Sequence, residues 1–160
     1  MAVDKNESII TYLLGCPVIA DNPLFFNFIN AKDNNNQIIT SGNDTALQVK
    51  YIDGSILKEY IFTIVLFKSV SQNAVVKAEG YPDENVTDLA DIQSLIDWIN
   101  EQDSIYNYPD FGEDCRVDSI ETLTSIPVLE AVDTSIQPAL GRYSIAIRIP
   151  YLDTSKVLWK

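Results

Sequence analysis

Asn85-Val86-Thr87-Asp88-Leu89-Ala90-Asp91-Ile92-Gln93-Ser94-Leu95-Ile96-Asp97-Trp98-Ile99-Asn100-Glu101 decides how the chain is read. Val86, Leu89, Ile92, Leu95, Ile96 and Ile99 recur at helical spacing, so one side of the predicted helix is apolar. Asp91, Ser94, Asp97 and Glu101 fall on the other side. Asn85 or Thr87 can cap the free N–H groups, and Asp83, Glu84 and Asp88 suit the positive end of the helix dipole. A helix this one-sided needs an apolar sheet to lie on. Trp98, at the margin of the stripe, either rims the core or meets a partner chain.

The sheet is legible on both sides of that helix. Residues 55–70 carry the longest strand signal, with Tyr60, Phe62, Ile64 and Leu66 on one face and Ile61, Val65 and Phe67 on the other. Apolar residues on both faces predict a central strand covered twice, by the helix and by either the first helix or another subunit. After Pro138, Tyr143, Ile145, Ile147 and Ile149 alternate with Arg142, Ser144, Ala146 and Arg148, the pattern of a strand with one buried and one wetter face.

The remaining segments are shorter. Residues 7–14 read as a helix capped by Asn6 and ended by Gly15 and Pro17. Leu24-Phe25-Phe26-Asn27-Phe28-Ile29 reads as an aromatic strand. Two turn-rich runs enclose Gln37-Ile38-Ile39-Thr40, which reads either as a projecting hairpin or loop arm over residues 33–45 or as an ordinary mobile loop. Residues 115–123 read as a strand, and residues 126–132 as extended or irregular. Short turns favour antiparallel neighbours. The expectation is one α+β domain over residues 1–160: a mostly antiparallel or mixed sheet of four or five strands, packed by two helices.

The chain holds 23 acids against 11 bases, a net charge of −12. Residues 79–133 contain 15 acids and a single base, Arg116; the rest of the chain holds 8 acids and 10 bases. The acidity therefore belongs to the central helix and the segment after it, and a basic footprint for sequence-independent DNA binding is missing. No apolar run approaches the ~18 residues needed to span a bilayer. Met1-Ala2-Val3-Asp4-Lys5-Asn6-Glu7 lacks the basic start and apolar core of a signal peptide, which predicts an intracellular protein when made. Cys16 and Cys115 imply no disulfide framework.

The absence of histidine excludes Ser-His-Asp and Cys-His catalysis and histidine-based zinc sites. Asp110-Phe111-Gly112 matches the magnesium-binding triplet of kinases in letters, but no glycine-rich loop or His-Arg-Asp loop accompanies it. Asp110, Glu113, Asp114 and Asp118 form the densest carboxylate group, whose spacing is not that of an EF-hand. No cofactor, metal or catalytic residue is predicted; a carboxylate or metal-dependent enzyme is the distant alternative.

Asn22-Pro23-Leu24-Phe25-Phe26-Asn27-Phe28, Tyr51-Ile52-Asp53-Gly54-Ser55, Asp91-Ile92-Gln93-Ser94-Leu95-Ile96-Asp97-Trp98-Ile99, Phe111-Gly112-Glu113-Asp114-Cys115 and Gln137-Pro138-Ala139-Leu140-Gly141-Arg142-Tyr143 carry a resemblance. They resemble the small neck proteins, minor capsid or tail terminator, of long-tailed phages of Gram-positive bacteria. The likeness runs over most of the chain and its motifs are structural. It implies a virion protein that forms a hexameric ring on the head-proximal end of the tail tube, stops tube polymerisation and joins the tail to the head. The implied partners are the chain itself, the tube protein, a neck or connector protein and, in a contractile tail, the last sheath ring. DNA would pass through without specific binding, and no membrane is involved. Another neck component, such as a head-completion protein, or the cap of a headless contractile particle remains an alternative. Candidate interface residues are Asp33, Asn35, Ile38, Ile39, Thr40 and Asn43 on the arm, Lys50, Lys58 and Lys68 as cations facing the acidic middle of a neighbour, and the tryptophans Trp98 and Trp159.

Overall fold

The computed structural model describes residues 4–20, 22–27, 31–33, 35–40, 49–70, 84–124, 126–135 and 139–157. Its spine is a pair of 15-residue strands, β4 (Ile56–Val70) and β8 (Ala139–Asp153), antiparallel from Ile56 opposite Asp153 to Val70 opposite Ala139. On one side of β4 lie β2 (Asn36–Thr40) and beyond it β1 (Leu24–Phe26), with β3 (Val49–Lys50) on the start of β4. On the far side of β8 lie β5 (Cys115–Val117), β6 (Glu121–Thr122) and β7 (Val128–Asp133). Every pairing is antiparallel except β1 with β2.

The class is α+β, as expected, but among the described residues the sheet has eight strands rather than four or five. The extra ones arise because residues 115–123, read as one strand, divide into β5 and β6, because the extended stretch 126–132 pairs as β7, and because β3 is only two residues long. An alternation needs about four residues to show. A long strand such as β8 can hold several short partners along one edge, and only the tertiary fold reveals them.

One face of the sheet carries the helices: α1 (Lys5–Leu13), α2 (Pro17–Ala20) and α3 (Glu84–Ser104). Ile92, Leu95, Ile96 and Ile99 of α3 are buried, as its stripe requires. They pack with Ile9, Leu13 and Ile19 over Phe62, Ile64 and Leu66 of β4 and Tyr143, Ile145, Ile147 and Ile149 of β8. Burial along β8 alternates strictly over its inner half, matching the pleat. The first helix is capped by Asp4, whose carboxylate accepts the Asn6 N–H at 2.9 Å, so Asn6 is not the cap. Pro17 does not merely end that helix; it opens α2, where its missing N–H costs nothing.

The first helix shares a core with α3 and so is not the second cover of β4. On the opposite face Val65, Phe67 and Leu140 form a small separate cluster with Ile39 against it.

After α3 the chain turns through Tyr106, which has φ +57°, and returns Phe111 to the core. The Phe111 ring lies 5.7 Å from Tyr60 and 5.2 Å, edge-on, from Tyr151. Gly112 adopts φ +97°, a conformation that favours glycine, and its N–H donates to the Asp110 carboxylate at 2.9 Å. The Asp110-Phe111-Gly112 triplet is thus an aromatic plug with its own turn. Asp103 closes the same region by accepting from Ile120 N–H (3.1 Å) and the Tyr108 hydroxyl (2.9 Å).

Candidate assembly surfaces

Most of the residues singled out on the arm are structural parts of the sheet. Residues 36–40 form β2, an internal strand between β1 and β4, rather than part of a projecting arm. Ile38 is fully buried and Asn35 is 6% exposed. The Asn35 carbonyl accepts Phe67 N–H at 3.1 Å, which prolongs the β2–β4 ladder. Asp33 accepts Ser69 N–H at 2.7 Å. Ile39 belongs to the small outer cluster. The Thr40 N–H donates to the Asn27 side chain at 2.9 Å, and Asn27 holds φ +50° to make that contact. The sequence placed two turn-rich runs around an apolar tetrapeptide; it did not show that two strands would claim the tetrapeptide. Asn43 and the rest of the arm to residue 45, and Trp159, lie outside the described residues.

The three lysines do not form one patch. Lys50 is exposed on β3. Lys58 is held at 2.9 Å by Asp153. Lys68 is 6% exposed at the far end of β4, about 33 Å from Lys58 at the rise of an extended strand. Trp98 is half-buried, its ring 5.3 Å from Tyr12 on the margin of the main core. It rims the core within its own chain.

The wetter face of β8 is not a cationic strip. Arg148 lies 2.5 Å from Glu121 and 3.9 Å from Glu59. Arg142 lies 3.0 Å from Glu130, which also accepts the Ser144 hydroxyl. Neighbouring strands supply an acid for each arginine, which leaves no basic track for a nucleic-acid backbone among the described residues of this face.

The densest carboxylate group is dispersed into local hydrogen bonds. Asp110 faces Gly112 N–H, and Asp118 accepts Arg116 at 3.3 Å. Among the described residues no three acidic, cysteine or histidine side chains converge as a metal site. Burial pushes the thiols of Cys16 and Cys115 up, away from the thiolate form that reacts. Among the described residues no helix is long and apolar enough to cross a membrane.

Three exposed apolar features escape the sequence reading. Leu123, Ile126, Leu129 and Val132 line the open edge formed by β6 and β7, at 52%, 66%, 47% and 42% exposure. Tyr51 and Ile52 sit on the turn between β3 and β4. Leu14, Ile105 and Tyr106 mark the ends of α1 and α3. Tyr51, Ile52 and Tyr106 could have been found as large apolar residues inside turn-rich segments, whereas Leu14, Leu123, Leu129 and Val132 sit in or next to regular elements and only the packing shows that nothing covers them. No protein-family model matches this chain, and no curated protein matches it.

Proposed function

We propose that this chain is a structural assembly subunit, a tail terminator that closes the head-proximal end of a phage tail tube as a ring, hexameric by the resemblance. The observation that carries the reading is the edge of β6 and β7. Four large apolar side chains there remain about half exposed, beside a strand edge that is unpaired among the described residues. Single-chain proteins blunt such edges, whereas assembling ones use them for contact. The acid-rich surface supports the same role, because a ring that DNA must traverse works best without cations to hold it. The partners of this reading are further copies of the chain, the tube protein, a neck or connector protein and the sheath of a contractile tail, within the virion.

Light scattering tests it, first on the protein alone and then with its tube protein. The expected result is a ring-sized mass, or a monomer that shortens and caps tubes. A monomer that leaves tube length unchanged overturns the terminator role and moves the chain to another neck position. Saturable Ca²⁺ or Mg²⁺ binding in calorimetry, together with a lasting monomer, would favour the enzyme alternative.

A further inference from the structure

The turn between β3 and β4 is a rigid apolar knob. Ile52 is wholly exposed, at 102%, and Tyr51 is 46% exposed. Neither side chain is required for the turn, which closes through Tyr51 N–H to Ser55 O at 2.8 Å and Gly54 N–H to Tyr51 O at 3.1 Å. Asp53 is folded inward onto the Ser55 N–H (2.9 Å) and hydroxyl (2.6 Å). Gly54 holds φ +95°, and a Cβ there would stand 2.3 Å from the Lys156 carbonyl oxygen. The knob is therefore braced against the 154–157 turn, so little order remains to be gained on binding. Lys50 and Lys156 flank it, both exposed and without an ion pair among the described residues.

A groove of about 580 Å³ lies between α1 and residues 108–110. Asp4, Glu7 and Asp110 rim it, Tyr12, Tyr108 and Pro109 line it, and no basic side chain contributes. It is on the helix side of the sheet, where Asn6 accepts the Tyr60 hydroxyl and Lys5 lies over Tyr151. Ile52 instead adjoins Leu57 and Leu152, which are paired across β4 and β8 and point away from the helices. One molecule cannot place its own knob in its own groove.

We propose that the Ile52 knob of one copy seats in the α1/108–110 groove of a second copy, with Lys50 and Lys156 facing Asp4, Glu7 and Asp110. The two surfaces differ and lie on opposite faces, so the contact is head-to-tail and repeats into a ring or a filament. An isologous contact would need both knobs seated in both grooves at once about a two-fold axis, which their placement on opposite faces disfavours. The inference rests on the self-association in the proposed function and not on the tail role.

The test replaces Ile52 in the full chain with a photo-crosslinking benzoylphenylalanine and irradiates a concentration series up to the millimolar range. A concentration-dependent dimer is expected, with cross-linked peptides from residues 4–12 or 106–112 of the second copy. Glu7→Lys or Thr11→Arg, both exposed on α1, should abolish that band with the circular dichroism melt unchanged. Adding Lys50→Glu and Lys156→Glu to the cross-linking chain should restore it against the Glu7→Lys partner. No cross-link, or cross-links mapping elsewhere, overturns the contact. If light scattering still shows a ring in that case, the assembly reading stands without it. If the groove is labelled but tubes are ignored, the contact stands and the tail role falls.

Discussion

The Lys58 ammonium lies 2.9 Å from the Asp153 carboxylate, joining β4 to β8 one diagonal step off register. Lys58 stands opposite Tyr151, and Asp153 opposite Ile56. The Ser155 hydroxyl and N–H, and then Lys58, hold Asp153 well below the usual carboxylate range. Hydrogen bonding and attraction to Asp153 push Lys58 up. Lys58→Met should cost about 0.5–1 kcal/mol in a urea melt, at the upper end for surface pairs because both side chains are mostly covered. The depressed carboxylate contributes stability that is present above its unfolded value, about 4, and is lost as pH falls below it. The acid limb of a stability–pH curve should therefore be shallower in Lys58→Met.

Charge reversal at the lysines should separate fold from assembly. Lys50→Glu is expected to leave the melting temperature unchanged, because the side chain is exposed. Lys68→Glu reverses a charge at 6% exposure and should cost about 3 kcal/mol. Lys58→Glu sets two carboxylates together. Thermal melts rank the three, and only Lys50→Glu reports cleanly on contacts between copies.

The plug after α3 should be energetically central. Phe111→Ala empties a site between Tyr60 and Tyr151 and should cost about 3–4 kcal/mol in chemical denaturation. Gly112→Ala forces a side chain onto φ +97° and should cost about 1–2 kcal/mol. If both variants kept full stability, the triplet would need another explanation.

Tyrosine titration should show the α1 docking. Burial first, and then the Asp4 carboxylate, push the Tyr60 phenol up to about 12. The phenol donates to Asn6 Oδ1 at 2.5 Å. Tyr12, whose hydroxyl donates to Asn107 O at 2.9 Å, is likewise pushed up by burial. A phenol protonated in the fold adds stability that is full below its unfolded value, about 10, and is lost as pH climbs through the folded one. Phenolate absorbance should lag behind that of free tyrosine, and Tyr60→Phe should lessen the alkaline loss of stability.

The residues that revealed their own environment in sequence are those in long periodic runs. The stripe Leu89, Ile92, Leu95, Ile96 and Ile99, the alternation from Tyr143 to Ile149 and the two apolar faces of residues 60–67 all assign a side chain to a face through helix or strand geometry. That determined the class, the main helix and the spine strands. Periodicity names a face but not the partner across it. Only the tertiary structure decided that Gln37-Ile38-Ile39-Thr40 would be claimed by β1 and β4, that α1 would share the face of α3, and that Lys58 would meet Asp153. It also decided that Ile52 and the acidic groove of Glu7 and Asp110 would lie on opposite faces. Those relations depend on pairings between residues far apart in the chain, and no local pattern encodes a long-range partner.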